Sequence, residues 1–188
     1  MTLIENTLGL IASSLDQYLC QQGPAQQSWV ALTNPVNSDG SPNPLAANRV
    51  VMALTNVHRE TVFGTTQPTH SNPGDGYVTA APPLCLNLQV LFMANFEGAN
   101  YRDGLSMLSH TIGFFQQTPV FTAANLPGLD PAITRLELEL EDLDLAGFEH
   151  LMALLGTRYL PAAVYTLRTL PITSDSIPAD VPPVQGLR

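Results

Sequence analysis

Apolar residues recur at steps of three and four in the first part of the chain, which is the spacing of one helix face. This stripe consists of Ile4, Leu8, Ile11, Leu15 and Leu19. Thr2 and Glu5 match a capping box, in which a hydroxyl and a carboxylate each accept from a free amide of the first turn. Gly23 and Pro24 end the pattern. The sequence therefore predicts an amphipathic N-terminal helix.

A second stripe follows Asn100, which is placed to cap the helix, and it ends at Pro119. Its members are Tyr101, Leu105, Leu108, Ile112 and Phe115, and we expect them to form the buried face. Phe114 lies beside this stripe and is expected to be available to a neighbouring molecule. Gly104 and Gly113 each cost a helix about 1 kcal/mol relative to alanine. Close packing is the expected reason, above all at Gly113.

A third helix is predicted after Asp144, a capping residue, with Gly156 in the position of a left-handed C-terminal cap. The residues expected to point inward are Leu145, Phe148, Leu151, Met152 and Leu155.

Alternating or continuously apolar runs predict the strands. The strongest is Leu84 to Phe92, whose even-numbered residues are all apolar, and it is expected to be central in the sheet. Residues 29–32, 49–60 and 162–170 are also predicted as strands. In residues 135–141 Leu136, Leu138 and Leu140 alternate with Glu137, Glu139 and Glu141, which predicts one dry and one acidic face.

Two segments are rich in proline and glycine, and we expect neither to form regular structure. The first is residues 64–83. The second is an extended tail that carries Pro171, Pro178, Pro182 and Pro183 and is expected to become ordered only against a neighbouring subunit. The predicted fold class is α/β (α+β): a single domain over residues 1–172, a mixed β-sheet packed by about three helices, and an extended Pro-rich C-terminal tail over 173–188.

The amino-acid composition limits the classes of function that this protein can have. Only 12% of the 188 residues are charged and 45% are hydrophobic, so amide, hydroxyl and glycine residues must cover much of the surface. A formal net charge of -9 would repel a phosphate backbone, which argues against nucleic-acid binding. Cys20 and Cys85 form no CxxC pair and are expected to be reduced. The sequence shows neither a signal peptide nor an apolar run long enough to insert into a membrane, which predicts synthesis and folding in the cytoplasm.

No arrangement of residues predicts catalysis or a cofactor. The four histidines do not have the spacing of a metal site, and the phosphate-binding and nucleophile-elbow motifs are absent. The three glutamates are more consistent with a solvated or partner-facing strip than with a glycosidase pair. A small hydrolase based on Ser109 and His110 is a remote alternative.

Longer runs carry a resemblance to a known family. The segments are PPLCLNLQVLFMANF, NYRDGLSMLSHTIGFFQQTPVFTAANLPGL and LELELEDLDLAGFEHLMALLGTRYLPAAVYTLRTLPI. Over residues 3–172 the chain resembles the cap or tail-terminator proteins of extracellular contractile injection systems, of the antifeeding-prophage and Photorhabdus virulence cassette type.

The resemblance implies a structural protein and not an enzyme. It implies a ring, expected to be a hexamer, that closes the distal end of the inner tube and contacts the last ring of sheath. Such a protein would be assembled in the bacterial cytoplasm, and its particle would be released or held at a membrane. The alternative is a tail-completion, adaptor or anchoring component of the same particle. Besides the three glutamates and the tail prolines, the expected partner-facing residues are Asn95, Asn100 and Phe114.

Overall fold

A computed structural model of the chain describes residues 3–23, 28–60, 69–72, 76–79, 84–172 and 179–181. It contains three α-helices: α1 (Leu3–Gln22), α2 (Tyr101–Gln117) and α3 (Leu145–Leu154). Three helices were predicted at these places, and all three are confirmed. The hydroxyl group assigned to the first capping box belongs to Thr2, which lies outside the described residues.

The described residues also form nine strands: β1 (Val30–Leu32), β2 (Arg49–Arg59), β3 (Thr69–Asn72), β4 (Gly76–Thr79), β5 (Leu84–Asn95), β6 (Val120–Phe121), β7 (Leu136–Leu140), β8 (Ala162–Ile172) and β9 (Ala179–Val181). Six of them form one sheet in the order β1-β2-β5-β8-β7-β6. The sheet is mixed because β1 runs parallel to β2, whereas the other neighbours are antiparallel. β5 lies between β2 and β8, which confirms the predicted central strand.

The two faces of this sheet are covered unequally. Alternate residues of β2 point to opposite faces, so Val50 and Met52 join a large core with α1 and α2, whereas Val51 and Ala53 join a small core with α3. In the large core, burial raises the pKa of the Tyr165 hydroxyl. We call the face that carries α3 the second face.

Helix α2 is turned away from the predicted orientation. Its buried residues are Gly104, Met107, Thr111, Phe114 and Phe115, whereas Tyr101 is 46% and Leu105 41% exposed. The side chain of Phe114 is only 8% exposed and its ring lies 5.2 Å from that of Tyr18. The expectation that Phe114 faces a neighbour is therefore wrong, because the tertiary contact with α1 selects the adjacent helix face.

Of the two glycines of α2 that were expected to pack closely, only Gly104 does so. A Cβ atom added at Gly104 would lie 2.9 Å from the Cβ of Phe96, whereas one added at Gly113 would meet nothing within 4 Å. The prediction of close packing is therefore confirmed at Gly104, where the helix packs on the segment that follows β5, and wrong at Gly113.

Alanine at these two positions is expected to have opposite effects on stability. Gly113→Ala should raise the free energy of unfolding by about 0.5–1 kcal/mol, since it removes a helix-interior glycine without a clash. Gly104→Ala should lower it by about 1–2 kcal/mol, because overpacking against Phe96 outweighs the gain in helix propensity. Urea denaturation of both variants measures the difference, and two changes of the same sign would contradict this packing.

The segments predicted to be irregular contain short strands. Within residues 64–83, β3 pairs antiparallel with β4, so the prediction that this stretch lacks regular structure is wrong in part. The tail contributes β9, which pairs with β4 of the same chain, so these three residues do not require a neighbouring subunit. Pro171 belongs to β8, opposite Cys85, and Pro178, Pro182 and Pro183 lie outside the described residues.

The three strands of the small sheet are neighbours in chain sequence of β2, β5 and β8, and they pair in the same order. The order of the small sheet is β3-β4-β9, and along the chain β3 follows β2, β4 precedes β5 and β9 follows β8. The same three chain segments therefore pair twice.

Candidate assembly surface

The acidic residues of β7 lie on the second face. Glu139 is paired in register with Thr166 of β8. Thr166 lies two positions from Val164, which belongs to the small core, so both residues point to the second face. Arg168 Nη2 lies 2.7 Å from Glu139 Oε2, and Arg135 forms an ion pair with Glu137. Arg135 and Arg168 therefore neutralise part of the negative charge of the predicted acidic strip.

Glu141 follows the end of β7 and is tied into the sheet. Gln89 Nε2 donates to its Oε2 atom at 2.7 Å, and the Thr166 hydroxyl donates to Oε1. One carboxylate thus joins residues of β5 and β8 to the end of β7. Its position is fixed by these bonds, so among the three glutamates it is the least free to turn toward a partner.

The two asparagines predicted to face a partner differ in their surroundings. Asn95 is half-buried and its Nδ2 atom donates to the carbonyl of Ala46 at 2.8 Å. Asn100 is exposed, and its Nδ2 atom donates to Asn48 Oδ1 at 3.2 Å. Although Asn100 precedes α2, its side chain makes no capping hydrogen bond. Asn95 therefore holds the segment around Ala46 against the end of β5, whereas Asn100 lies on the surface.

The most exposed apolar side chains of the described residues include the first and last leucines of α3. Leu154 is 85% and Leu145 82% exposed, followed by Tyr159 at 68%, Leu45 at 64% and Leu140 at 55%. The predictions that Leu145 points inward and that Leu140 belongs to a dry face are therefore wrong. The packing of α3 is decided by Met152, with Phe148 and Leu151 half-buried at the edge of the small core.

These residues were not predicted to be exposed, although the sequence of α3 contains a signal of it. Only Glu149 and His150 among its ten residues are polar or charged, so apolar side chains must occupy more than one face of the helix. Asp144 caps α3 as predicted by accepting from the Gly147 amide at 2.8 Å, and Gly156 has the predicted left-handed conformation with φ 65.

Within the described part of the chain, the structure forms no group of three or more residues that could hold a metal ion. The Ser109 hydroxyl donates to the carbonyl of Leu105 at 2.9 Å, one turn back on the same helix. None of the described helices is both long enough and apolar enough to cross a bilayer.

Two solved structures share this fold over the whole chain. The first is the PVC sheath/tube terminator of an extracellular contractile injection system in its extended state, at 13% identity and a TM-score of 0.63. The second is the anti-feeding prophage cap, the AFP tube terminating cap, at 13% identity and a TM-score of 0.60. Our chain is covered completely in both comparisons but spans only 62% and 61% of those two chains.

Among curated proteins, none matches this sequence. The profile of the Pvc16 N-terminal domain family matches residues 9–186, a range that includes most of the predicted tail. This range is nearly the whole chain. The chain therefore belongs to the Pvc16 N-terminal domain family.

Proposed function

We propose that this protein is a structural terminator of a contractile injection particle, located where the inner tube and the sheath end. The observation that carries the proposal is that two proteins that terminate such tubes share its fold along its full length. Its partners would be the last rings of tube and sheath, and copies of itself in a hexamer. It acts by binding and not by catalysis, and it assembles in the bacterial cytoplasm into a particle of the extracellular type.

The surface supports an assembly role. All seven basic residues of the sequence are arginines, and lysine, which is depleted at protein interfaces, is absent. The second face presents polar side chains that hydrogen-bond to one another, such as Gln89 and Thr166 with Glu141, which suits a wet contact. Glu137, Glu139 and Asn100 remain proposed contact residues, and so do Pro171, Pro178, Pro182 and Pro183 of the tail. Asn95 and Glu141 are proposed to support that surface from within the fold.

Deletion of the gene tests this proposal. Without a terminator, tubes should continue to polymerise, so electron microscopy of purified particles should show open-ended tubes with a broad length distribution. Supplying the protein in trans should restore uniform length. Particles of normal length with a closed distal end in the deletion strain would contradict the proposal.

The position of a labelled copy of the protein in the particle distinguishes a terminator from an adaptor. A terminator places the label at the end remote from the baseplate. A label along the shaft or at the baseplate would favour the adaptor.

A further inference from the structure

Parts of the six-stranded sheet have no neighbouring strand within the described residues. β1 and β6 are its outermost strands, with three and two residues. The edge of β2 is also uncovered in part, because β1 pairs only with residues 50–52 and leaves residues 53–59 with β5 on one side alone. Uncovered strand edges present backbone N–H and C=O groups that can pair with a strand of another chain.

The edge of β6 is occupied by one asparagine side chain. The Pro119 carbonyl accepts from the Leu138 amide of β7, so the backbone groups of Val120 point away from the sheet. Asn125 Nδ2 donates to the Val120 carbonyl at 2.8 Å, and Asn125 Oδ1 accepts from the Thr122 amide at 2.7 Å. A further strand beside β6 would use these same two groups. The amide group of Asn125 therefore takes the place of a strand residue.

The edge of β1 is occupied by two side chains. The Trp29 carbonyl accepts from the Val50 amide of β2, so the N–H and C=O of Val30 point away from β2. Asp16 Oδ1 of α1 accepts from the Val30 amide at 2.9 Å, and the Ser28 hydroxyl donates to the Val30 carbonyl at 2.9 Å. Both outward-pointing groups of Val30 are therefore already hydrogen-bonded within the chain.

The uncovered part of β2 has a β-bulge and a second asparagine. Its register with β5 shifts between Leu54 and Asn56. Since the Glu60 amide donates to the Cys85 carbonyl of β5, the alternation of the ladder directs the Val57 amide away from β5. Asn56 Oδ1 accepts from that amide at 2.8 Å. The bulge and the occupied amide both disfavour a regular ladder on this edge.

Side chains of Asn, Asp and Ser often hydrogen-bond to nearby backbone groups, so each of these bonds by itself would be ordinary. Their coincidence on all three edges is not explained by local preference. What stays open is limited to separated residues such as Leu32 and Arg59, whereas a ladder pairs successive alternate residues along a strand. We call Asp16, Ser28, Asn56 and Asn125 the closing side chains.

We propose that the closing side chains prevent the six-stranded sheet from pairing with strands of other chains. Copies and other partners that lie beside this domain then contact the side chains of its faces and loops, and the sheet does not continue from one chain into the next. Identical chains packed side by side would otherwise be prone to edge-to-edge pairing. The inference concerns any partner of this chain, and it does not depend on the proposed terminator function.

Amide hydrogen exchange followed by NMR tests whether the closing bonds form. The amides of Val30, Val57 and Thr122 should exchange about tenfold or more slowly than the amide of Leu32, which points outward from β1 without a closing side chain among the described residues. Exchange of all three at the rate of Leu32 would overturn the proposal.

Removal of the two asparagines should convert closed edges into a site of association. Asn125→Ala exposes the Val120 carbonyl and the Thr122 amide, and Asn56→Ala exposes the Val57 amide. Compared with the unmodified chain, the double variant should self-associate about tenfold or more strongly in sedimentation velocity over a concentration series. Association no stronger than that of the unmodified chain would overturn the proposal.

Hydrogen exchange also separates strand pairing from aggregation of an unfolded variant. If strands pair, the amides of Thr122 and Val57 should regain protection as the concentration of the double variant rises, while the amides of the central strand β5 stay protected. If the double variant does not fold, Asn56→Ala alone provides the same comparison, because Asn56 is exposed and donates or accepts at no other edge. Association without protection at Val57 would contradict the proposal.

Two further variants are matched controls. Asn37→Ala removes an exposed asparagine whose side chain donates to Ser41 and Pro42 within a turn, outside the six-stranded sheet. Asn125→Asp keeps an acceptor for the Thr122 amide and adds a charge, which opposes pairing at an edge. Both should associate as the unmodified chain does. If Asn37→Ala associates as strongly as the double variant, loss of a surface asparagine and not an open edge is the cause, and the proposal is wrong.

Electron cryomicroscopy of assembled particles examines the same edges directly. We expect no strand of a neighbouring subunit to be hydrogen-bonded to β1, to β6 or to residues 53–59 of β2. A neighbouring strand paired with any of these edges would overturn this inference, even in a particle where the protein is found at the end of the tube.

Discussion

Phe115→Ala is expected to lower the free energy of unfolding by about 3–5 kcal/mol, the usual cost of truncating a buried phenylalanine. The side chain is 2% exposed, and its ring centroid lies 4.9 Å from that of Phe92 and 5.0 Å from that of Tyr165. The cavity would open between α2 and the centre of the sheet. Because small domains are stable by only about 5–15 kcal/mol, the variant should unfold at a much lower urea concentration.

Tyr101→Ala is the matched control on the same helix. The side chain of Tyr101 is 46% exposed, so its loss should change the free energy of unfolding by about 0.5 kcal/mol. Sequence periodicity assigned both residues to one buried stripe, so equal losses for the two variants would contradict the observed orientation of α2.

Asp16→Ala is expected to cost about 2–4 kcal/mol, because one carboxylate oxygen joins α1 to the first strand. Asp16 Oδ1 accepts from the amide of Trp29 at 2.5 Å and from that of Val30 at 2.9 Å. Hydrogen bonds to a charged group contribute about 1.5–3 kcal/mol each, and both amides would lose their acceptor. Thermal unfolding followed by circular dichroism measures the loss.

Asp16→Asn separates the hydrogen bonds from the charge. The amide oxygen of asparagine can accept from the same two backbone groups. The loss in free energy of unfolding should therefore be at most about half of the loss in Asp16→Ala. An asparagine variant as unstable as the alanine variant would show that the negative charge and not the acceptor geometry holds α1 to β1.

Much of the secondary structure could be predicted because it depends on local pattern. The alternation in residues 84–92 needs no other part of the chain to indicate a strand, and Asp144 and Gly156 mark the ends of α3 through their own backbone preferences. Short strands such as β3 and β9 were missed, because their pairing comes from residues that are distant in sequence.

The surface could be predicted only in part. Residues on β7, such as Glu137 and Glu139, were identified because charge alternates with leucine. Their pairing with Arg135 and Arg168 was not foreseen, since Arg168 lies on a different strand. The exposed apolar flanks of α3 were missed because a mostly apolar helix was taken to be a mostly buried one.

By itself the sequence determined that this is a mixed α/β domain with three helices, a central strand at Leu84 to Phe92 and a surface poor in charge. Periodicity determines these features because a helix or strand must place its apolar residues at fixed spacings. Only the tertiary structure decided which of two adjacent faces α2 buries. Tyr18 and Phe96 approach α2 from other elements and select Phe114 and Gly104. Because a helix that packs on a sheet can bury only one of its sides, tertiary packing also decided which leucines of α3 stay exposed.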